Sequence, residues 1–220
     1  MANVPGISFK DLLKNPTIDS DYSGWELPFY KDVEYFSNFD NFVNFVKACE
    51  RGVRVSNDYK RYKRYLIEDV GLNVCQVLSN ITVDDSNDSN GNILEMHHGP
   101  ILTLFDIISI IVDSEIANNR KITTFSIIDK CLEEHFENNV QVVMLSETVH
   151  EEVHVNNIFI NMKQAFGNIN RFIDKYHKGL HEDQIDKINE YINISLKIDS
   201  TDNNTLKLND TVKKWTMKGV

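Results

Sequence analysis

Two stretches decide how this chain reads. The first is Ile93-Leu94-Glu95-Met96-His97-His98, stopped by Gly99-Pro100. The second is Val140-Gln141-Val142-Val143-Met144-Leu145, which runs into Ser146-Glu147-Thr148-Val149-His150-Glu151-Glu152-Val153-His154. Each opens on a short apolar run bounded by breakers, the pattern of a strand, and Gly99-Pro100 closes the first of them. After the second, Ser146 or Thr148 starts a helix, with Thr148 and Glu151 at capping-box spacing. On that helix His150 and His154 leave the same face about one turn apart. This is the spacing by which a helix offers two nitrogens to one divalent metal. In the first stretch neighbouring side chains diverge, so one of His97 and His98 can ligate a metal while the other points at a water or substrate beside it.

Outward from these stretches the chain is mainly helical. Leu102 to Ile116 is apolar on nearly every side and predicts a buried helix ended by Asn118-Asn119. Thr123 or Thr124 caps a following helix to about Asn138, with Phe125, Ile128, Leu132 and His135 on one face and His135 as a core histidine. Met162 to Tyr176 traces a helical stripe broken at Gly167 and capped near Gly179, and Ile185, Ile188 and Ile192 mark a further helix. From Ser195 the chain alternates weakly, which predicts a small hairpin or a loose tail. Toward the N-terminus, Phe36 to Val46 has three-four spacing and predicts a helix, and Leu72 to Ile81 reads as a strand or a helix end. Asp84 to Asn92 holds only turn-forming and acidic residues and predicts an exposed loop, and residues 1–30 read as an irregular arm.

The 220 residues carry a net charge of −10, so the molecule as a whole does not advertise nucleic-acid binding. One segment runs against that balance. Between Glu50 and Arg64 six basic residues (Arg51, Arg54, Lys60, Arg61, Lys63 and Arg64) face two acids, with Tyr59, Tyr62 and Tyr65 interleaved. Cations at that density can neutralise phosphates while aromatic faces stack on splayed bases. The same spacing of three also fits a helix whose tyrosines face a core and whose cations are solvated. Cys49, Cys75 and Cys131 are far apart and form no CxxC pair, which argues against a disulfide scaffold or zinc ribbon and for a reducing interior. The sequence has no basic-then-apolar leader and no apolar run of about 18 residues, so secretion and membrane spanning are not expected.

Strand–His–His–turn followed by strand–helix with HxxxH resembles the ββα-metal fold of the His-Me finger, or HNH, endonucleases, and within it the colicin-type toxin DNases. Glu95-Met-His-His-Gly-Pro-Ile101 and Leu145-Ser-Glu-Thr-Val-His-Glu-Glu-Val-His154 also resemble HNH-like proteins of large tailed bacteriophages. The resemblance spans about residues 72–178 and implies a helical insertion between the two strands. It implies a metal-dependent endonuclease acting on DNA, with His98 as the general base and His97, His150 and His154 holding one divalent ion (Mg²⁺, Mn²⁺, Ni²⁺ or Zn²⁺) that steadies the charge on the phosphate. The basic segment 51–64 would supply the grip on the DNA backbone. Ser146 and Val149 stand where many HNH proteins have zinc-binding cysteines, so no structural zinc of that kind is expected.

Two other readings compete. A phage structural or accessory protein could keep the finger without cleaving, since a bound metal can serve stability alone. His150-Glu151-Glu152-Val153-His154 also spells HExxH, the zinc-protease signature. That motif normally lies inside a longer helix, and it leaves His97 and His98 unexplained. The expected fold is α+β and mostly helical. A mainly helical region spans 1–92, an HNH-like ββα-metal domain with its helical insertion spans 93–178, and a C-terminal helix and tail span 179–220. The expected partners are DNA and phage virion or replication proteins, with no membrane. The expected location is the host cytoplasm, with the virion as the second.

Overall fold

The computed structural model describes residues 30–79 and 94–216. The expected arm before Tyr30 and the loop Asp84–Asn92 lie outside the described residues.

In chain order the helices are α1 (Val33–Phe36), α2 (Phe39–Val55) and α3 (Asn57–Glu68), followed by strand β1 (Leu94–His98). Helices α4 (Leu104–Ala117) and α5 (Thr124–Phe136) lead to strand β2 (Val142–Ser146) and, without a break, helix α6 (Glu147–His154). Two 3-10 turns, Met162–Gln164 and His177–Gly179, flank α7 (Ile169–Tyr176), and α8 (Glu182–Ile198) and α9 (Asn203–Thr216) complete the fold. The protein is thus mostly helical around one two-stranded antiparallel sheet, a broad α+β class.

The caps follow from the sequence. Thr103 and Asp106 form a capping box on α4, and Thr123 and Ser126 form one on α5. Asn38 caps α2 through its side chain to the Asn41 N–H, so the helix expected over 36–46 starts at Phe39 and runs on to Val55. Residues 72–79, the described part of the expected strand or helix end, form neither. Gln76 instead binds the backbone of β2 at Met144, donating from its own N–H and accepting from the Met144 N–H. The stripe over Met162–Tyr176 is broken as expected, with Gly167 at φ +109. The tail is not a hairpin. Thr205, Leu208 and Val212 are buried at helical spacing on α9, and tertiary packing overrides the weak alternation. On α5 the expected apolar face is rotated: Phe125 is 72% exposed, while Ile127, Cys131, Leu132 and His135 are buried.

The larger core cluster runs from Phe45 on α2 through α4 and α5 to Leu208 and Val212 on α9. Segments 1–92, 93–178 and 179–220 therefore all contribute to one core. A second cluster joins Tyr62 and Leu66 of α3 to the sheet and to Val149 of α6. Gly179 is forced by the first cluster, because a Cβ there would sit 2.2 Å from the Ile110 carbonyl oxygen.

Candidate metal centre

The sheet sorts the histidines. β1 pairs with β2 so that Glu95 faces Leu145 and His97 faces Val143, while Leu94, Met96 and His98 face Ser146, Met144 and Val142. Opposed residues in an antiparallel pair share a face and successive residues alternate. Glu95 and His97 therefore lie on one face, and His98 lies on the other.

The first face carries α6. Strand β2 stays paired to Ser146 and the helix begins at once at Glu147, so Thr148 falls inside the first turn and the expected Thr148–Glu151 box does not form. The two turns of α6 lay His150 and His154 over His97. The ring centroids are 5.1 Å apart for His97–His150 and for His97–His154, and 4.4 Å for His150–His154. One ring nitrogen from each lies within 4.8 Å of the others, and the Nε2 atoms of His150 and His154 are 3.0 Å apart. Three nitrogens on a tetrahedral ion at about 2.0–2.1 Å would sit about 3.3 Å from one another, so this spread brackets what such an ion needs.

The surroundings suit a ligand set. Glu95 accepts a hydrogen bond from Nδ1 of His150, which leaves the Nε2 lone pair turned to the cluster centre. Partial burial, with the neighbouring His150 and His154 adding to it, holds His97 down at about 4, so this imidazole is neutral at pH 7 as a ligand must be. Gly99 keeps the ring's space open, since a Cβ there would lie 2.9 Å from His97 Nε2. A groove of about 280 Å³ is lined by His97, His98 and His154 together with Lys187 and Tyr191 of α8. Glu95 is the one participant the sequence reading passed over. Its signal was local, two residues before His97 on an alternating strand.

His98 has a different environment. It is 5% exposed, stacked on Tyr59, and its Nε2 lies 2.9 Å from Nε2 of His135. His135 Nδ1 donates to the Cys131 carbonyl at 2.6 Å, because a carbonyl can only accept. Neutral His135 must then accept at Nε2, so His98 donates there. His98 Nε2 therefore carries the hydrogen, and the lone pair of the neutral ring is on Nδ1. Burial pushes His98 well below its ordinary value and His135 down to about 4.

The pair makes stability depend on pH. Both histidines are held neutral in the fold and charge freely when it opens, so their contribution is complete above about 6.5 and fades as pH falls toward 4. His135 alone accounts for about 2 kcal/mol lost between pH 7.5 and 5. Asp113, raised to about 6 by burial, works the other way. The comparison that reads the histidine is therefore urea unfolding of wild type and His135→Asn at both pH values. The variant is expected to lose about 2 kcal/mol less on acidification, and an equal loss in both proteins would contradict the buried pair.

Helix α3, which carries four of the six basic residues, packs on the His98 side of the sheet through Tyr59. Tyr62 of α3 is fully buried with its ring against His135, and Tyr59 and Tyr65 are half-buried, so the tyrosines turn inward. Lys63 donates to the Leu94 carbonyl, Arg54 pairs with Glu50, and Arg61 pairs with Asp58. Arg51, Lys60 and Arg64 are exposed. Helix α6 ends at His154, so His150 and His154 close a short helix instead of lying inside a long one.

The sequence profile of the bacteriophage G278-like virion proteins matches residues 16–218, nearly the whole chain. The chain belongs to the bacteriophage G278-like virion protein family. No curated protein and no solved structure matches it. The virion family supports the phage origin and the particle as the place of work. Among the described residues of this virion protein, no helix is long and apolar enough to cross a membrane.

Proposed function

We propose that this chain is a structural or accessory component of the phage particle and that His97, His150 and His154 hold one divalent ion, with Glu95 orienting His150. The observation that carries the reading is the convergence of three imidazoles from β1 and α6 on one point with a carboxylate behind one of them. Imidazole donors favour Zn²⁺ or Ni²⁺ over Mg²⁺. Bound there, the ion would tie α6 to β1 and give the small sheet the cross-link that its two strands lack. Strand, strand and helix then form a metal finger like that of the His-Me proteins, kept for stability, and virion proteins rather than DNA are the partners.

A metal-dependent DNA endonuclease is the second reading, favoured by one observation. Three protein ligands leave a fourth position, and the groove lined by His97, His98 and His154 lies beside it. One feature weighs against it: His98 is 5% exposed, stacked on Tyr59 and held at Nε2 by His135. Incubating supercoiled plasmid with the protein and Zn²⁺, Ni²⁺, Mn²⁺ or Mg²⁺ separates the two readings. No nicking above the EDTA control is expected. Metal-dependent nicking that His98→Ala abolishes would establish the nuclease instead.

A further inference from the structure

Away from the three-histidine cluster, a groove of about 970 Å³ lies between the N-terminal end of α2, helix α4 and the start of α8. Its floor is aromatic, with Phe42 and Phe105 below and Phe39 77% exposed at the edge. Its rim is acidic. Asp106 and Asp113 already pair with Lys187 and His181, but Glu182, Asp183 and Asp186 are exposed and carry no ion pair among the described residues. An open aromatic floor with unneutralised carboxylates around it fits a partner that brings an apolar residue set among cations.

The same chain carries that complement. At the C-terminal end of α2, Val55 is 71% exposed, with exposed Arg51 and Arg54 on the same helix and exposed Lys60, Arg61 and Arg64 on α3, which follows directly. The pairs Arg54–Glu50 and Arg61–Asp58 are exposed neighbours on a helix and hold those cations weakly. The two patches sit at opposite ends of a 17-residue helix, about 24 Å apart at 1.5 Å per residue, so a molecule cannot turn its own basic end into its own groove. A second copy can. Two chains of charge −10 repel in most orientations, and the approach that sets a basic end on an acidic groove is the one the field selects.

We propose that copies of this chain associate head to tail, the basic end formed by α2 and α3 of one copy seated in the acidic aromatic groove of the next. Such an interface joins two different surfaces, so each added copy presents a fresh groove or a fresh basic end, and the product is a ring or an open row rather than a twofold dimer.

Sedimentation of the full chain at pH 7.5, between about 10 and 200 µM, tests this. Association that grows with concentration at about 50 mM NaCl and fades at about 500 mM is expected. Asp183→Lys with Asp186→Lys reverses the groove, and Arg61→Glu with Arg64→Glu reverses the basic end. All four residues are exposed, and circular dichroism checks that both variants are folded. Each variant alone is expected to be monomeric, and mixing the two is expected to restore association, because each reversed surface then meets its opposite. A wild-type monomer throughout, a variant that associates as wild type does, or a mixture that stays monomeric would overturn the proposal.

Discussion

Zinc added to metal-stripped protein is expected to raise its melting temperature by about 5–10 °C. A ligand at 100 times its Kd stabilises the folded state by about 2.7 kcal/mol, and for a chain of this size each kcal/mol moves the midpoint by about 2–4 °C. His150→Ala is expected to remove the shift, because it takes away both a ligand and the nitrogen that Glu95 orients. Glu95→Ala leaves three imidazoles but frees His150 to rotate. Losses of this kind cost about 10–100-fold in metal affinity, so the shift should return only at higher zinc. Differential scanning fluorimetry over a zinc series reads all three proteins. An equal shift in wild type and His150→Ala would mean that zinc binds elsewhere.

The largest effect on the fold itself is expected from Gly167→Ala. Gly167 sits at φ +109, a backbone conformation that costs a side chain strain, and a Cβ there would fall 1.9 Å from the Val140 carbonyl oxygen. Backbone cannot yield as a flexible side chain does. The segment is tightly tied: Val142 and Phe166 exchange both backbone hydrogen bonds at 2.9 Å, and the Asn168 N–H reaches the Asn138 carbonyl at 2.8 Å. This strip covers the edge of β2 away from β1, so relieving the clash means lifting it from the strand that leads into α6. A loss of more than about 3 kcal/mol is expected in urea unfolding, with weaker zinc binding in whatever remains folded. A midpoint like that of wild type would show that the strip is not seated on β2.

The three-histidine cluster is legible in the sequence because its signals are local. Alternation along β1 separates His97 from His98, and the four-residue spacing of His150 and His154 sets both on one face of α6. Even Glu95 could have been read, as the residue that shares a strand face with His97. His98 could not be read, because its environment is made by His135, 37 residues away on α5, and by Tyr59 on α3. A base and a buried hydrogen-bonded histidine look identical in one dimension. The interleaved tyrosines 59, 62 and 65 posed the same ambiguity, and it took packing against the sheet to turn them inward. Helix α9 was missed for a different reason. Its buried residues Thr205, Leu208 and Val212 stand among polar neighbours, and only the surface they cover makes them a face. The acidic groove was invisible for the same cause, since its walls come from three helices far apart in the chain.

The most direct test of the histidine centre is a count of zinc per chain by native mass spectrometry, on protein stripped with a chelator and reloaded. One zinc per chain is expected for wild type and for His98→Ala, and none for His97→Ala, His150→Ala or His154→Ala. Zinc retained by all three ligand variants, or absent from wild type, would contradict a metal held between β1 and α6.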